Sequence, residues 1–247
     1  MLDDRLPSSL PAVDRLGTIL GIFAHPDDET YLCGALMARA RDSGNRVVCV
    51  TATRGELGSP DEEKWPPGEP LAAVRSAELE AALGSLGVTE HHWLGYPDGG
   101  CHEVPDEEAV ERLRALVREV QPDTILSFGP DGATGHRDHI ATCRWAFAAA
   151  EAEGVADRVH WATMTPERFA MFDPLLRAAG AYMDEVDVTP TPEDQMSIHL
   201  RADGALLDRK EAALRLMASQ TEPFIAFVGL ENYRLAISEE SFRPAQS

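Results

Sequence analysis

Two short segments rich in histidine and acidic residues each follow an apolar run that is typical of a β-strand. The segment AHPDDE occupies 24–29 and follows the apolar run 18–23, and the segment GHRDH occupies 135–139 and follows the run 124–128. Imidazole and carboxylate groups are the usual protein ligands of zinc and of similar divalent cations. The two segments together therefore predict a metal site that activates water or polarises a substrate.

The spacing inside each segment agrees with that chemistry. His136 and His139 stand three residues apart, so on one helical turn they face the same way. Asp27 and Asp28 are adjacent and point in different directions, so one can bind a metal while its neighbour addresses a water molecule on that metal. A local explanation exists for either segment alone, because acidic residues also favour helix N-termini and a bare HxxH pattern is common. Two such segments at matching strand ends are much harder to explain by local structure.

The rest of the chain reads as alternating strands and helices, which is the pattern of βαβ units around a parallel sheet. Strands are predicted at 18–23, 46–51, 92–94, 124–128, 159–164 and 196–200, and helices at 30–43, 71–86, 106–120, 138–151, 166–179 and 203–217. Gly87 stands where a left-handed residue would end the second helix. The prediction is an α/β fold, a Rossmann-like three-layer sandwich with a mostly parallel sheet, in one domain over 1–247.

This fold would bring the two segments together. In open α/β sheets, sites form outside the carboxyl ends of the strands, where the connections diverge. Both segments lie between a strand and the helix that follows it, as such a site requires. Glycine and proline mark 52–70 and 96–105 as irregular loops, and a loop as long as 52–70 is more often functional than a plain connection.

Composition excludes several classes of partner. The 247 residues carry 42 acidic and 22 basic side chains and a formal net charge of −20, so nucleic acid and anionic membrane surfaces are poor partners. No apolar stretch approaches the roughly 18 residues of a spanning helix, and Met1 to Leu10 does not read as a signal peptide. The four cysteines form no CxxC pair, which indicates reduced thiols in a cytoplasmic protein.

At the two polar segments the sequence resembles the LmbE-like, or PIG-L, family of N-deacetylases. The string AHPDDE is the most specific mark, and GHRDH matches the family's second motif, HxDH; TRGE at 53–56, RSAE at 75–78, YPDGG at 96–100 and, more loosely, the Ser-Gln pair at 219–220 also match. The resemblance covers about 17–150. It implies a metal-dependent hydrolase that removes an N-acyl group, usually acetyl, from an amino sugar, with Zn²⁺ or another divalent ion such as Fe²⁺. Relatives often form homo-oligomers.

The resemblance also implies roles, residue by residue. His25, Asp28 and His139 would hold the metal and leave positions open for water and for the substrate carbonyl. Asp27 would be the general base, and His136 the acid that protonates the departing amine.

Three further residues match family positions around the site. Asp138 would orient His136, and Arg75 and Asp98 would contact the substrate; the plainer alternative makes these two an ion-pair former and a turn residue. The sequence departs from the mycothiol-type enzymes at Thr134, where they have a tyrosine that can stabilise the oxyanion, and at Arg137, where many relatives have proline. These departures bear on the substrate and leave the metal ligands unaffected.

Other functions compete with amino-sugar deacetylation. An amidase on a thiol conjugate or on a natural-product N-acyl glycosamine would use the same chemistry, and a larger or more apolar pocket lined by 52–70 and 155–200 would favour it. A metabolite-binding module with a structural metal is the non-enzymatic alternative, but 24–29 lacks the small residues of a dinucleotide fingerprint. The remaining histidines are expected to be structural or at the surface, with His102 the one nearest to a candidate loop.

Overall fold

The protein is described here as a computed structural model that covers residues 13–183 and 186–245, so the prediction for Met1 to Leu10 lies outside the described residues. Within this part of the chain the strands are β1 Ile19–Phe23, β2 Val47–Thr51, β3 Glu90–Trp93, β4 Thr124–Ser127, β5 Val159–Thr163, β6 Ile198–Arg201 and β7 Glu239–Pro244. The longer helices are α1 Asp28–Asp42, α2 Glu69–Leu86, α3 Asp106–Val120, α4 Arg137–Ala152, α5 Pro166–Ala178, α6 Gly204–Arg215, α7 Ala218–Val228 and α8 Leu230–Ile237.

The strands of the described residues form one sheet in the order β3-β2-β1-β4-β5-β7-β6. Strands β1 to β5 pair in parallel, whereas β7 runs antiparallel to both β5 and β6. The direction in which strands are added changes between β1 and β4. The chain first adds β2 and β3 on one side of β1, and then returns to place β4 on the other side of β1. The prediction of a mostly parallel α/β sheet is confirmed.

Alternate residues of β1 enter opposite layers. Ile19 and Phe23 lie in a core shared with α1 and α2, and Leu20 and Ile22 lie in a core shared with α3 and α4. All five residues of β1 are buried, as expected for a strand covered on both faces. The sheet is therefore the middle layer of a three-layer sandwich.

Most predicted elements are present, with shifted ends. Gly87 has φ 84° and ends α2 in the left-handed conformation, as predicted, and Val88 donates its N–H to the Leu83 carbonyl in the helix-ending pattern. Strand β3 begins at Glu90, two residues before the predicted start. Helices α7 and α8 and strand β7 were not predicted, although β7 lies inside the sheet between β5 and β6.

Helix α1 is kinked at Cys33, whose backbone has φ −146° and ψ 23°. The kink frees the N–H groups of Ala35 and Leu36, and both donate to the Glu240 carboxylate of β7 at 2.7 Å. The Lys210 ammonium lies 2.7 Å from the same carboxylate, and both side chains are fully buried. A carboxylate from the sheet thus caps the second part of α1, and this arrangement sets the direction of the first turn, which carries the acidic residues of AHPDDE.

No helix in the described ranges is both long enough and apolar enough to cross a membrane.

Candidate active site

The loop after β1 has an unusual backbone at Asp27, with φ 136° and ψ −29°. Such a conformation costs a non-glycine residue about 1–3 kcal/mol and is held by surrounding contacts. The Asp27 carbonyl accepts the N–H of Tyr31 at 2.9 Å, which starts α1. Arg75 on α2 holds the loop from the other side, donating to the Pro26 carbonyl at 2.8 Å and to the Gly55 carbonyl at 3.0 Å.

The loops after β1 and β4 bring three predicted metal ligands together. His25 Nδ1 lies 3.0 Å from His139 Nε2. The Asp28 carboxylate lies 3.6 Å from His25 Nδ1 through Oδ2 and 3.5 Å from His139 Nε2 through Oδ1. Ligand atoms about 2.1 Å from a tetrahedral metal are separated by about 3.4 Å. The two rings approach each other within this separation and Asp28 reaches each ring through a different oxygen, so the three side chains could surround one metal.

The far side of each ring shows which nitrogen carries a proton. His139 Nδ1 lies 2.8 Å from the Gly132 carbonyl, so Nδ1 is the donor and Nε2 keeps its lone pair. His25 Nε2 lies 3.1 Å from Asp98 and 3.3 Å from Asp138, so Nε2 is the donor there and, in the neutral ring, Nδ1 has the lone pair. Two lone pairs facing each other at 3.0 Å repel unless a cation or a proton lies between them. The donor set fits a divalent metal.

Two other groups of side chains are also close enough to share an ion: His25 with His136 and His139, and His25 with Asp98 and Asp138. In the second group both Asp138 oxygens already accept backbone N–H groups, and Asp98 Oδ2 accepts a third. Those carboxylates hold the loop after β3 and orient His25. The position between His25 and His139, a pair that the first group shares with the predicted ligands, is therefore better suited to a metal than the second group.

The electrostatics of the pocket favour a positive charge. Burial by itself lowers the pKa of His25, but hydrogen bonds to Asp138, Asp28 and Asp98 raise it well above its ordinary value. Burial raises the pKa of Asp28, and the larger combined effect of His139 and His25 holds it well below the usual range. A ring that holds a proton this strongly marks a place where a metal cation would be stabilised.

Asp27 and His136 have properties suited to proton transfer. Burial, opposed by Arg75 and reinforced by Asp28, raises the pKa of Asp27 to about 7, and the Arg75 guanidinium lies 3.4 Å from its carboxylate. His136 caps α4 by accepting the N–H of Asp138 on Nδ1 at 3.1 Å, which leaves Nε2 to exchange a proton. Burial, followed by the nearby His25, lowers the pKa of His136.

The predicted contact between the Asp138 side chain and His136 is wrong. The Asp138 carboxylate binds His25 and the N–H groups of Gly99 and Cys101, and its link to His136 runs through its own backbone N–H. The reason is that the loop after β3 folds over the start of α4 and supplies two N–H donors to this buried carboxylate.

The other predicted residues divide between the cavity and its surroundings. Arg75 and Asp98 both line the cavity, although Arg75 is buried and bound to two loops. Thr134 also lines the cavity, with Oγ1 3.5 Å from His139 Nδ1. Arg137 and His102 are exposed and lie outside the residues that line the cavity.

Sequence reasoning did not find the Gly132 carbonyl that orients His139, and only the glycine content of 129–135 marks that loop. It named an apolar pocket lined by 52–70 and 155–200 only as a condition for the alternative function, and it gave no indication that α7 and α8 contribute to the wall. The site opens into one cavity of about 710 Å³, which that wall completes.

Comparison with known proteins identifies the family. Residues 20–150 match the model of the PIG-L family, described as GlcNAc-PI de-N-acetylase. The 1D-myo-inositol 2-acetamido-2-deoxy-alpha-D-glucopyranoside deacetylase of Acidothermus cellulolyticus is 33% identical over 244 residues, which cover 87% of this chain and 83% of the relative.

Solved structures show the same fold. The N,N'-diacetylchitobiose deacetylase from Pyrococcus horikoshii matches with a TM-score of 0.60 and 24% identity, over 94% of this chain and 85% of that one. The A40926 pseudoaglycone deacetylase matches with a TM-score of 0.65 and 22% identity, over 93% and 97% of the two chains. With the family model matching more than half of its length, this chain belongs to the PIG-L, or LmbE-like, family.

Proposed function

We propose that the protein is a metal-dependent hydrolase that removes an acyl group, acetyl in the simplest case, from the nitrogen of an amino sugar. The observation that carries this proposal is the convergence of three ligand groups: His25 Nδ1 and His139 Nε2 face each other at 3.0 Å, and the Asp28 carboxylate lies beside both. The Acidothermus relative is named for the deacetylation of an acetamido sugar joined to inositol, which supports the same class of substrate.

His25, Asp28 and His139 would hold the metal, with Zn²⁺ the first choice and Fe²⁺ the alternative for a site of two imidazoles and a carboxylate. When bound, the cation polarises the amide carbonyl and lowers the pKa of a water molecule.

The chain's own residues would move the protons. Asp27, whose pKa near 7 suits a general base, would take a proton from the attacking water, while Arg75 keeps its carboxylate in place. His136, in its imidazolium form, would donate a proton from Nε2 to the amide nitrogen as the C–N bond breaks, and the proton that Asp27 took from water would restore that form. The sugar leaves as an amine and the acyl group as a carboxylate. Asp98 lines the cavity and would accept a hydrogen bond from a sugar hydroxyl.

The experiment is a measurement of primary-amine release from N-acetylglucosamine and its glycosides, before and after chelation and after Zn²⁺ is restored. We expect release that disappears with the chelator and returns with the metal, and we expect Asp27→Asn to lower it by about 10²–10⁴-fold. Asp157→Asn, at an exposed acidic position that precedes β5 and does not line the cavity, is the matched control and should retain full activity. Amine release that resists chelation, or that is undiminished in Asp27→Asn, would exclude the proposed mechanism.

A second candidate is supported by one observation. The cavity is lined by Leu57 and Gly58 from the 52–70 loop and by Met164, Phe172 and other apolar residues from 155–200. A cavity of this kind was the condition for an amidase on a larger conjugate or N-acyl glycosamine. The substrates tested for amine release therefore also include larger amides. A protein that binds these amides without releasing amine would be a binding module instead of an enzyme.

A further inference from the structure

A short stack of aromatic rings links the two strands that carry the metal-site loops. Phe23 ends β1, two residues before His25, and Phe128 directly follows β4. Their rings meet edge to face, with centroids 5.5 Å apart and planes at 88°. Phe128 in turn lies face to face with the His139 ring, with centroids 4.0 Å apart and planes at 8°. The stack therefore runs from the core of the sheet to a proposed metal ligand.

Phe128 is a fixed neighbour of His139. It is 1% exposed, and it belongs to the core that β1 shares with α1 and α2. It also lines the cavity, so its contact with His139 lies at the boundary between the core and the site. Because a close-packed core leaves little room for a large ring to move, Phe128 offers His139 a rigid surface.

The hydrogen bond of His139 leaves one motion of its ring unrestrained. Nδ1 donates to the Gly132 carbonyl at 2.8 Å, which selects the tautomer. Gly132 has φ 64°, a conformation that favours glycine, and a Cβ there would lie 3.1 Å from His139 Cβ. This bond fixes the position of Nδ1, but the ring can still tilt about the line that joins Nδ1 to the carbonyl oxygen. Such a tilt would turn the Nε2 lone pair away from the proposed metal position.

The face of Phe128 restrains that tilt. A parallel ring at 4.0 Å is in van der Waals contact, so His139 cannot tilt toward it. His136 also stacks on His139, with centroids 4.9 Å apart and planes at 28°, but it is half-buried and belongs to the cavity. Phe128 is therefore the firmer of the two contacts. Ligand side chains need to be held within about 10–20° of the productive direction, and a face contact on a rigid ring does this.

The geometry of this contact suits a metal-bound imidazole better than a free one. Neutral aromatic rings prefer offset or edge-to-face arrangements with centroids about 4.5–7 Å apart. The rings of Phe128 and His139 are closer than this and nearly parallel. An imidazole that binds a divalent cation takes on positive charge, and a positively charged group is attracted to the face of an aromatic ring. The contact therefore favours the metal-bound state of His139.

We infer that Phe128 is a positioning residue for the metal site: its ring sets the direction of the His139 Nε2 lone pair and thereby strengthens metal binding. This inference rests on the proposed function, because it takes His139 as a metal ligand, and it adds a residue that acts through that ligand. Replacing a residue that orients a metal ligand typically weakens metal binding by about 10–100-fold. We expect about tenfold for Phe128, because the hydrogen bond from His139 to Gly132 stays in place.

The test measures Zn²⁺ affinity by competition with a chelator of known affinity, after circular dichroism has shown that each variant is folded. Phe128→Leu keeps an apolar side chain but removes the planar face, so Zn²⁺ should bind about tenfold more weakly. Phe128→Met also removes the face, and its flexible side chain fills irregular space, so it takes the place of Phe128→Leu if that variant does not fold. Phe242→Leu is the matched control, because Phe242 is fully buried in the same core and does not line the cavity; its Zn²⁺ affinity should match the parent.

Co²⁺ provides a second readout that does not need turnover. The visible spectrum of bound Co²⁺ reports the number and arrangement of its ligands, because coordination geometry sets the energies of the metal's electrons. If His139 turns away, water takes its position on the metal. The spectrum should therefore differ from the parent in the Phe128 variants and be unchanged in Phe242→Leu.

The outcomes separate this inference from the proposed function. Weaker Zn²⁺ binding together with an altered Co²⁺ spectrum, in the Phe128 variants and not in Phe242→Leu, would support the positioning role. If the parent binds Zn²⁺ and the Phe128 variants lose no more affinity than Phe242→Leu, or if their Co²⁺ spectrum equals that of the parent, the inference is wrong and the proposed function stands. If the metal-free parent takes up neither Zn²⁺ nor Co²⁺, the proposed function fails and the positioning role fails with it.

Discussion

Replacing Glu240 by glutamine should destabilise the fold far more than its small change in shape suggests. The Glu240 carboxylate accepts the N–H groups of Ala35 and Leu36 at 2.7 Å and pairs with Lys210 at 2.7 Å, with both charged side chains fully buried. The amide of Glu240→Gln has one oxygen and one NH₂ group. It can accept from one of the two N–H groups, and it leaves the ammonium without its counterion.

The expected loss follows from those contacts. Removing one member of a buried ion pair costs about 3–5 kcal/mol, because the remaining charge stays uncompensated. The unsatisfied backbone N–H is part of the same network, so its cost is included in that range and is not added to it. For a chain of this size about 2–4 °C is lost per kcal/mol. We therefore expect Glu240→Gln to lower the melting temperature by about 6–20 °C.

The assay is urea unfolding followed by circular dichroism, with thermal melting as a second readout. Glu222→Gln is the matched control, because Glu222 pairs with Lys64 at the same 2.7 Å but both side chains are more than half exposed; such a pair is worth at most about 1 kcal/mol. The double variant Lys210→Met with Glu240→Gln should recover part of the lost stability, because it has no unpaired ammonium group in the core. A loss in Glu240→Gln no larger than in Glu222→Gln would refute this account of the α1 kink.

Three further predictions concern Asp27 in the site, the four cysteine thiols, and His91 in β3. Asp27→Asn should lower kcat by about 10²–10⁴-fold while the protein still binds one metal, which metal analysis beside the kinetics can check. The four cysteines are buried, and burial raises the pKa of each thiol, so a thiol reagent should label them slowly in the native protein and quickly in urea; rapid native labelling would disagree. Burial lowers the pKa of His91 to about 4. The unfolded chain therefore binds that proton first, and stability should fall by about 2 kcal/mol as pH drops from about 6.5 to 4. This fall should be smaller in His91→Gln, and equal pH profiles for the two proteins would argue against a neutral buried ring.

The first part of the fold could be predicted from sequence because its local signals agree. Strands β1, β2 and β4 are buried runs, and each is followed by a polar connection and a helix, so strand type and parallel order follow together. The sequence could also indicate that the two polar segments meet at one edge of the sheet, since each comes directly after an apolar strand; the choice of His25, Asp28 and His139 as metal ligands rests on the family resemblance and stays a prediction.

Strand β7 could not be predicted, and its sequence explains why. It reads EESFRP, with Phe242 its one large apolar side chain, although it lies between two other strands. Its Glu240 points inward because the kinked α1 supplies N–H groups and Lys210 supplies a charge. A residue that looks typical of a surface turn is therefore buried for a reason that only the tertiary structure provides.

The prediction for Asp138 shows the same limit within the site. The HxDH spacing correctly places this carboxylate near His136 in sequence, but the side chain turns toward Gly99 and Cys101, which belong to a loop nearly forty residues earlier. The apolar wall of the cavity is a similar case, because its residues Tyr31, Phe172, Phe224 and Ile237 come from four separate helices. Contacts between distant loops and helices are not encoded in local spacing.

The most direct test of the central claim measures metal binding and catalysis in the same samples, for the parent protein and for variants of the proposed ligand residues. Metal-free protein, with Asp28→Asn and His139→Ala as variants, would be titrated with Zn²⁺ by calorimetry, and amine release from N-acetylglucosamine would be followed in the same samples. We expect the parent to bind one metal and to gain activity in proportion to the bound metal, and both variants to lose tight binding and activity together. Tight binding of one metal in both variants, or activity in the parent that is independent of bound metal, would contradict the assignment of His25, Asp28 and His139 as the catalytic metal site.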